Sequence, residues 1–270
     1  MHVNIKEWFR PGSVDEVLEI IQNGKGIPYA GGTGLLKGQV TGLIDLRRLN
    51  LNYIRETEAG TAIGANTKFN DIAHFQWSDG RRILAQALGR AASNPLRNLI
   101  TLGGSLAFRP VWSNVPTPLL ALNAIVKVAG TQVAAYPIAD FLQLKRGSKF
   151  LITEVLIPPA SGHGIYYRFA RIRFDYSALD LAVYLETDSG VINLARLAVG
   201  NIVSTANRLT QIENQLVGLQ ISDPLVNEIL STVEIKPVRN PNFSREFLLN
   251  LLKTEMERAF TKIRERVDAN

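Results

Sequence analysis

The sequence predicts an α+β chain organised as two domains, and three observations lead there. The chain has 270 residues, against roughly 100 to 200 for one domain. Strand-like and helix-like segments succeed one another without βαβ spacing, so a doubly wound sheet is not expected. Ser161-Gly162-His163-Gly164 reads as a linker, and a second, small α+β domain is expected to begin near residue 160.

The elements of the first domain follow in order. Ser13-Val14-Asp15-Glu16 forms a capping box, in which the Ser13 hydroxyl accepts from the Glu16 amide and Glu16 reaches back to the Ser13 amide. Val14, Val17, Leu18 and Ile21 continue at helical spacing until Gly24 and Gly26 stop the pattern. Residues 27–30 are a short extended run that opens into Gly31-Gly32-Thr33-Gly34. Residues 43–46 read as a strand, and 53–55 with 61–64 as a hairpin around Glu58-Ala59-Gly60. Thr67 is the expected N-cap of a helix through Phe75. A helix over 81–92 is expected to end at Asn94-Pro95, because the residue before proline is pushed out of the helical region. Thr101-Leu102-Gly103-Gly104-Ser105 is a second glycine turn, followed by Pro110, Pro116, Pro118 and the apolar run 119–122. Residues 125–129 and 131–135 make a hairpin about Gly130, and 153–157 is a strand closed by Pro158-Pro159.

Beyond the linker, 165–169, 181–186 and 191–199 have strand composition. Helices are expected near 207–216 and 225–232, and 244–267 reads as one long terminal helix. Its Phe247, Leu251, Met256, Phe260 and Ile263 form a stripe suited to core packing.

Composition excludes several classes of function. Apolar residues make up 46% and charged residues 20%, which argues against disorder, collagen-like repeats and low complexity. There is no cysteine, so disulfides, thiolate nucleophiles, cysteine-ligated zinc and iron–sulfur clusters cannot be carried by this chain. His2, His74 and His163 are scattered without metal-ligand spacing, and no protein-bound metal is expected. Lys plus Arg number 30 against 24 Asp plus Glu, but the basic residues come as short pairs such as Arg47-Arg48 and Arg81-Arg82. That distribution reads as a solvated face and not as a nucleic-acid surface. The amino terminus lacks the order of a signal peptide, and no window approaches the roughly 18 apolar residues of a membrane span, so a soluble cytoplasmic protein is expected.

The two glycine turns carry the chemistry. A dinucleotide diphosphate needs several backbone amides converging on its oxygens, and only residues without bulky side chains let the main chain come that close. The first turn offers amides and the Thr33 hydroxyl directly after a strand, and the second offers amides with hydroxyls at both ends. Neither contains GxGxxG, and no acidic residue stands where a Rossmann ribose partner would. Residues 32–37 lack the GxxxxGK[ST] spacing, so Lys37 has no claim to a phosphate on that ground.

With these motifs in order, the chain resembles the flavin-binding medium subunits of molybdenum hydroxylases. That family includes the flavoproteins of carbon monoxide dehydrogenase, xanthine dehydrogenase and aldehyde or benzoyl-coenzyme A type oxidoreductases. Residues 11–21 resemble its opening Pro-x-Ser-x-Asp-Glu-x-Leu helix, 29–36 its Ala-Gly-Gly-Thr-Asp-Leu turn, and Gly64-Ala65-Asn66-Thr67 its Gly-Ala-x-Thr segment. Residues 97–105 resemble its Arg-Asn-x-Ala-Thr-Ile-Gly-Gly-Asn stretch and 113–122 its Ser-Asp-x-x-Pro-x-Leu-x-Ala-Leu continuation. Residues 200–219 and 244–252 resemble its carboxy-terminal flavoprotein domain. Gly34 and Asn114 stand where the family has acidic residues, and Ser105 where it has Asn; Asn114 keeps a carbonyl acceptor.

The resemblance implies FAD bound between two subdomains, about 1–50 and 51–160, of a fold like that of vanillyl-alcohol oxidase and p-cresol methylhydroxylase. A carboxy-terminal flavoprotein domain over 161–270 would follow. By the same correspondence the phosphates lie on Tyr29, Ala30, Gly31, Gly32, Thr33, Gly34, Leu35 and Leu36 and on Thr101, Leu102, Gly103, Gly104 and Ser105. Ala91 packs near the cofactor, Asn114 takes the place of a flavin-contacting aspartate, Ile152 lies beside the isoalloxazine, and Arg168 stands where a lysine often approaches it. The implied role is electron relay from a 2Fe–2S subunit, in a complex with a molybdopterin-containing large subunit, to NAD, quinone or oxygen. No side-chain acid or base is required. A self-contained flavin reductase, or an interaction subunit that kept the fold and lost FAD, are the alternatives.

Overall fold

The computed structural model describes residues 5–34, 42–131, 133–147 and 149–269. In chain order come β1 (Glu7–Phe9), α1 (Val14–Gln22), β2 (Ile27–Tyr29), β3 (Gly42–Asp45), β4 (Ile54–Thr57), β5 (Gly60–Gly64), α2 (Phe69–His74), α3 (Arg82–Arg90), α4 (Asn94–Arg97), α5 (Leu102–Phe108) and α6 (Pro116–Ala121). They are followed by β6 (Ile125–Ala129), β7 (Ala134–Pro137), α7 (Ile138–Gln143), β8 (Leu151–Ile157), β9 (His163–Phe169), β10 (Leu179–Asp188), β11 (Val191–Gly200), β12 (Asn207–Arg208), α8 (Thr210–Leu216), α9 (Pro224–Ser231) and α10 (Arg245–Asp268). Among the described residues no helix is long and apolar enough to cross a membrane.

These elements gather into two compact units. The first comprises Met1–His74, Ala92–Pro110 and Ala124–Pro159, the second Phe75–Ala91, Val111–Asn123 and Ala160–Asn270. Two short excursions of the amino-terminal half, carrying α3 and α6, therefore belong to the second unit.

The first unit holds a parallel three-stranded sheet in the order β1-β3-β2 and an antiparallel five-stranded sheet in the order β4-β5-β8-β6-β7. Val17 and Leu18 of α1 pack with Ile44 of β3, with Leu46 and Leu51, and with Ala129 and Leu151 of the larger sheet. One small core thus joins both sheets. The Ser13 hydroxyl caps α1 by accepting from the Glu16 amide at 3.2 Å, as expected, but the Glu16 carboxylate takes the Gly12 amide at 2.8 Å instead of that of Ser13.

In the second unit β10 and β11 are long antiparallel partners at the centre of the order β12-β11-β10-β9. Their apolar side chains pack with α8, α9 and α10. Along α10, Met256, Phe260 and Ile263 are buried as the stripe predicts, but in its first half the core positions are Leu248 and Leu252. Phe247 is 43% exposed and stacks on Phe243. The 3.6-residue period, counted back from Met256, selects 252 and 248.

Several boundaries differ from expectation. Helix α3 stops at Arg90 because Ala92 turns left-handed at φ 52°. Asn94-Pro95 begins α4 instead of ending α3, since proline fits the first helical turn, whose amides have no partner in any case. The apolar run 119–122 lies mostly in α6, His163 and Gly164 already belong to β9, β7 starts at Ala134, and β12 precedes α8. Thr67 does not cap α2: its hydroxyl donates to the Tyr53 carbonyl at 2.9 Å and accepts the Tyr53 amide at 3.1 Å.

Candidate functional site

The second glycine segment is a helix start, not a loop. Thr101 is the N-cap of α5, and its hydroxyl accepts from the Gly104 amide at 3.2 Å. The segment is stitched to the chain before α2: Leu102 donates to the Thr67 carbonyl at 3.0 Å, Gly103 to the Ala65 carbonyl at 2.8 Å, and Phe69 to the Ile100 carbonyl at 3.0 Å. A Cβ on Gly103 would lie 2.6 Å from that of Ala65, so glycine is required there by chain packing. The Ser105 amide binds the Thr101 carbonyl at 3.0 Å. All four amides from Leu102 to Ser105 are therefore spent within the protein, contrary to the expectation of a second donor set.

The first glycine segment lies against this structure. A Cβ on Gly31 would stand 1.7 Å from the Leu99 carbonyl oxygen, and one on Gly34 would stand 3.2 Å from the Phe108 ring. Gly32 takes φ +72°, which any other residue adopts under strain, and faces the Tyr29 ring. The structure thus brings Tyr29, Ala30, Gly31, Gly32, Thr33 and Gly34 together with the segment 99–108. Leu35 and Leu36 fall outside the described residues.

A main-chain diphosphate cradle requires unspent amides and uncluttered Cα atoms. Among the described residues no acceptor pairs with the amides of Gly31, Gly32, Thr33 and Gly34. In the second segment Gly104 is exposed, and a Cβ there would meet only the Thr101 hydroxyl. The two segments thus divide the work: the first supplies donors, the second a bare surface. Asp45, the β3 neighbour of Tyr29, is neutralised by Arg47, whose Nε and Nη2 donate to the carboxylate at 3.0 and 2.6 Å. That pairing holds the Asp45 carboxyl below the usual carboxylate range, and its ion-paired charge opposes an incoming anion less.

Ile152 is buried on β8, on which α5 packs. The other expected residues belong to the second unit. Ala91 is the buried C-cap of α3. Asn114, 8% exposed, donates from Nδ2 to both carboxylate oxygens of Asp180, at 3.1 and 2.8 Å. Arg168 binds the Asp175 carbonyl and acts electrostatically on the same Asp180.

Asp180 is the group that sequence reasoning missed. Fully buried on β10, it also accepts from the Ser177 hydroxyl at 2.6 Å and from Asn201 Nδ2 at 2.8 Å. Burial pushes its carboxyl up to about 7, against the pull of its hydrogen-bond donors and Arg168. Burial likewise raises the hydroxyl of the adjacent Tyr166. The signal in the sequence was a lone carboxylate inside the apolar run Leu179-Asp180-Leu181.

Comparison with known proteins follows this geometry. Residues 3–160 match the FAD binding domain in molybdopterin dehydrogenase, and residues 165–263 match the CO dehydrogenase flavoprotein C-terminal domain. The glyceraldehyde dehydrogenase medium chain of Sulfolobus acidocaldarius is 26% identical over 95% of this chain and 97% of its own length. The nicotinate dehydrogenase FAD-subunit of Eubacterium barkeri is 28% identical over 80% and 81%. Among solved structures, carbon monoxide dehydrogenase from Hydrogenophaga pseudoflava shares the fold with a TM-score of 0.88 at 23% identity, over 98% of this chain and 99% of that one. Quinoline 2-oxidoreductase from Pseudomonas putida 86 does so with 0.85 at 24%, over the same shares. With more than half its length matched to one family, the chain belongs to the FAD-binding subunits of molybdopterin dehydrogenases and is the flavoprotein component of an oxidoreductase.

Proposed function

We propose that this chain is the electron-relay subunit of a molybdenum hydroxylase complex. It receives electrons from a partner 2Fe–2S subunit, supplied in turn by a molybdopterin-containing large subunit, and delivers them to an external acceptor such as NAD, quinone or oxygen. What supports this reading is the packing of Gly31 and Gly34, in a segment whose amides pair with no acceptor among the described residues, against the segment 99–108 that carries the exposed Gly104. The absence of cysteine adds to it, because iron–sulfur centres must then sit on another chain.

Tyr29 to Leu36 and Thr101 to Ser105 hold the diphosphate in this reading. Ala91, Asn114, Ile152 and Arg168 serve the flavin end. The fold is of the vanillyl-alcohol oxidase type, with an FAD-binding domain over 1–160 and a carboxy-terminal domain over 161–270. FAD, when bound, supplies an electron carrier, and the protein sets its position and potential. The chain itself orients the cofactor and shields it, and no side chain is assigned as acid or base.

The full chain is expected to purify yellow or to rebind FAD. A colourless preparation that refuses reconstitution with excess flavin overturns the reading. Gly104→Ala is a sharper test, because the added methyl enters the open face of the cradle and meets only a rotatable hydroxyl. The gain of about 1 kcal/mol for alanine over glycine within a helix is offset by displacement of the Thr101 hydroxyl that caps the Gly104 amide, about 1 kcal/mol, so unfolding stability should change little while FAD affinity falls by about tenfold or more, roughly 1.4 kcal/mol. Undiminished flavin content would show that no diphosphate lies there.

A further inference from the structure

We propose that Asn70 is a positioning residue that sets the separation of the two halves of the cradle; the proposal rests on the cradle reading above. Gly31 packs against the carbonyl of Leu99, so the width of the cradle depends on what fixes Leu99. That residue follows directly from α4, and the amides of Leu99 and Ile100 both donate to the Leu96 carbonyl at 2.9 Å. α4 thus bears on one side of the cradle wall, while on the other side the Phe69 amide holds the Ile100 carbonyl at 3.0 Å.

Apolar burial does little to hold α4. The helix has four residues, no side-chain cap and no buried residue, while Leu96 and Leu99 are 44% and 49% exposed. So short a helix does not persist alone, and the hydrophobic effect is not what docks this one. A polar clamp docks it instead. Asn70, 8% exposed in the first turn of α2, donates from Nδ2 to Asn94 Oδ1 at 2.7 Å and to Asn98 Oδ1 at 2.6 Å. Its own Oδ1 accepts from Arg97 Nε at 2.9 Å. Both Asn70 amide protons and one carbonyl lone pair are thus committed to α4 and its C-cap. A single side chain grips both ends of the helix.

The clamp acts on the cradle through Leu99 and touches no ligand itself. Removing it frees α4 to drift, which changes the gap between the Gly31–Gly34 amides and Gly104 while leaving both sheets and their cores intact. Asn70→Ala and Asn70→Leu are expected to weaken FAD binding by about tenfold or more, as the loss of three partly buried hydrogen bonds allows. Asn70→Asp is expected to restore part of it, because the Asn98 amide can turn to donate and Arg97 gains a charged acceptor, while Asn94 is kept as an acceptor by Arg97 Nη2 at 3.2 Å.

The test measures FAD dissociation from the full chain by flavin fluorescence, and hydrogen exchange across residues 94–101 in the flavin-free state. Faster exchange confined to that segment, weaker binding in the alanine and leucine variants, and rescue by aspartate support the clamp. If Gly104→Ala loses FAD while Asn70→Ala keeps it, the cradle stands and the clamp is refuted. If both keep FAD, the cradle reading itself has failed. Should Asn70→Ala not fold, Asn98→Ala removes one of the bonds, and unaltered exchange and affinity in that variant refute the clamp.

Discussion

Asp180 shows how a single buried carboxylate couples stability to pH. Its folded-state pKa, about 7, lies above the ordinary 3.8. Below the ordinary value the group is protonated whether folded or unfolded, and its contribution is fully present. As pH climbs through the folded value the native state must ionise a desolvated acid, and that contribution is lost. Resistance to urea is therefore expected to fall between about pH 4 and 7, and Asp180→Asn to flatten that slope. The variant survives because the amide of Asn114 can turn to present its oxygen to the new Nδ2. Urea midpoints at acid and neutral pH decide the matter, and an equal slope in both proteins refutes the assignment. The same hub joins Asn114, Tyr166, Ser177 and Asn201, which come from four separate segments. No local pattern announces such a group; only the incongruity of Asp180 among leucines does.

At the level of elements, legibility followed locality. The α1 cap, the β4–β5 hairpin and the long α10 are dictated by residues within a few positions, and they were readable. The second glycine turn was read as a loop of free amides. Two of its donors, Leu102 and Gly103, are satisfied by Thr67 and Ala65, distant in sequence, so only the folded chain reveals that they are spent. The Asn70 clamp is likewise invisible, because an asparagine in a helix has a dozen ordinary explanations and its partners lie 24 and 28 residues away. Arg109 belongs to the same class. It ends α5 in a left-handed conformation and sends Nη1 to the carbonyls of Phe141, Leu142 and Leu144 at 3.1, 3.2 and 2.9 Å. Its positive charge meets the carbonyl end of α7, where a cation is favoured. Arg109→Met leaves those carbonyls without this donor and should cost about 1–3 kcal/mol in urea unfolding, whereas Arg109→Lys keeps the charge and should lose less. Equal losses in the two variants would show that packing, and not the cap, is the role of Arg109.

For the whole molecule the decisive feature is a division of redox labour written into composition. A chain without cysteine cannot ligate an iron–sulfur cluster through thiolates, and among the described residues no group of His, Asp and Glu is placed to hold a metal. The two glycine segments to which the proposed reading assigns the diphosphate both belong to the first unit. If the chain serves the proposed relay complex, flavin and iron part company when that complex is taken apart. Purified from its source with its partners, the preparation should contain flavin, iron and molybdenum. Mild dissociation should leave flavin, or the capacity to rebind it, with this chain and carry all iron and molybdenum to the others. A thiol reagent that destroys the clusters should leave flavin content unchanged, because this chain has no thiol to modify. Iron that stays with the isolated chain after chelation would break the scheme, because the protein would then need a ligand cluster that is absent among the described residues.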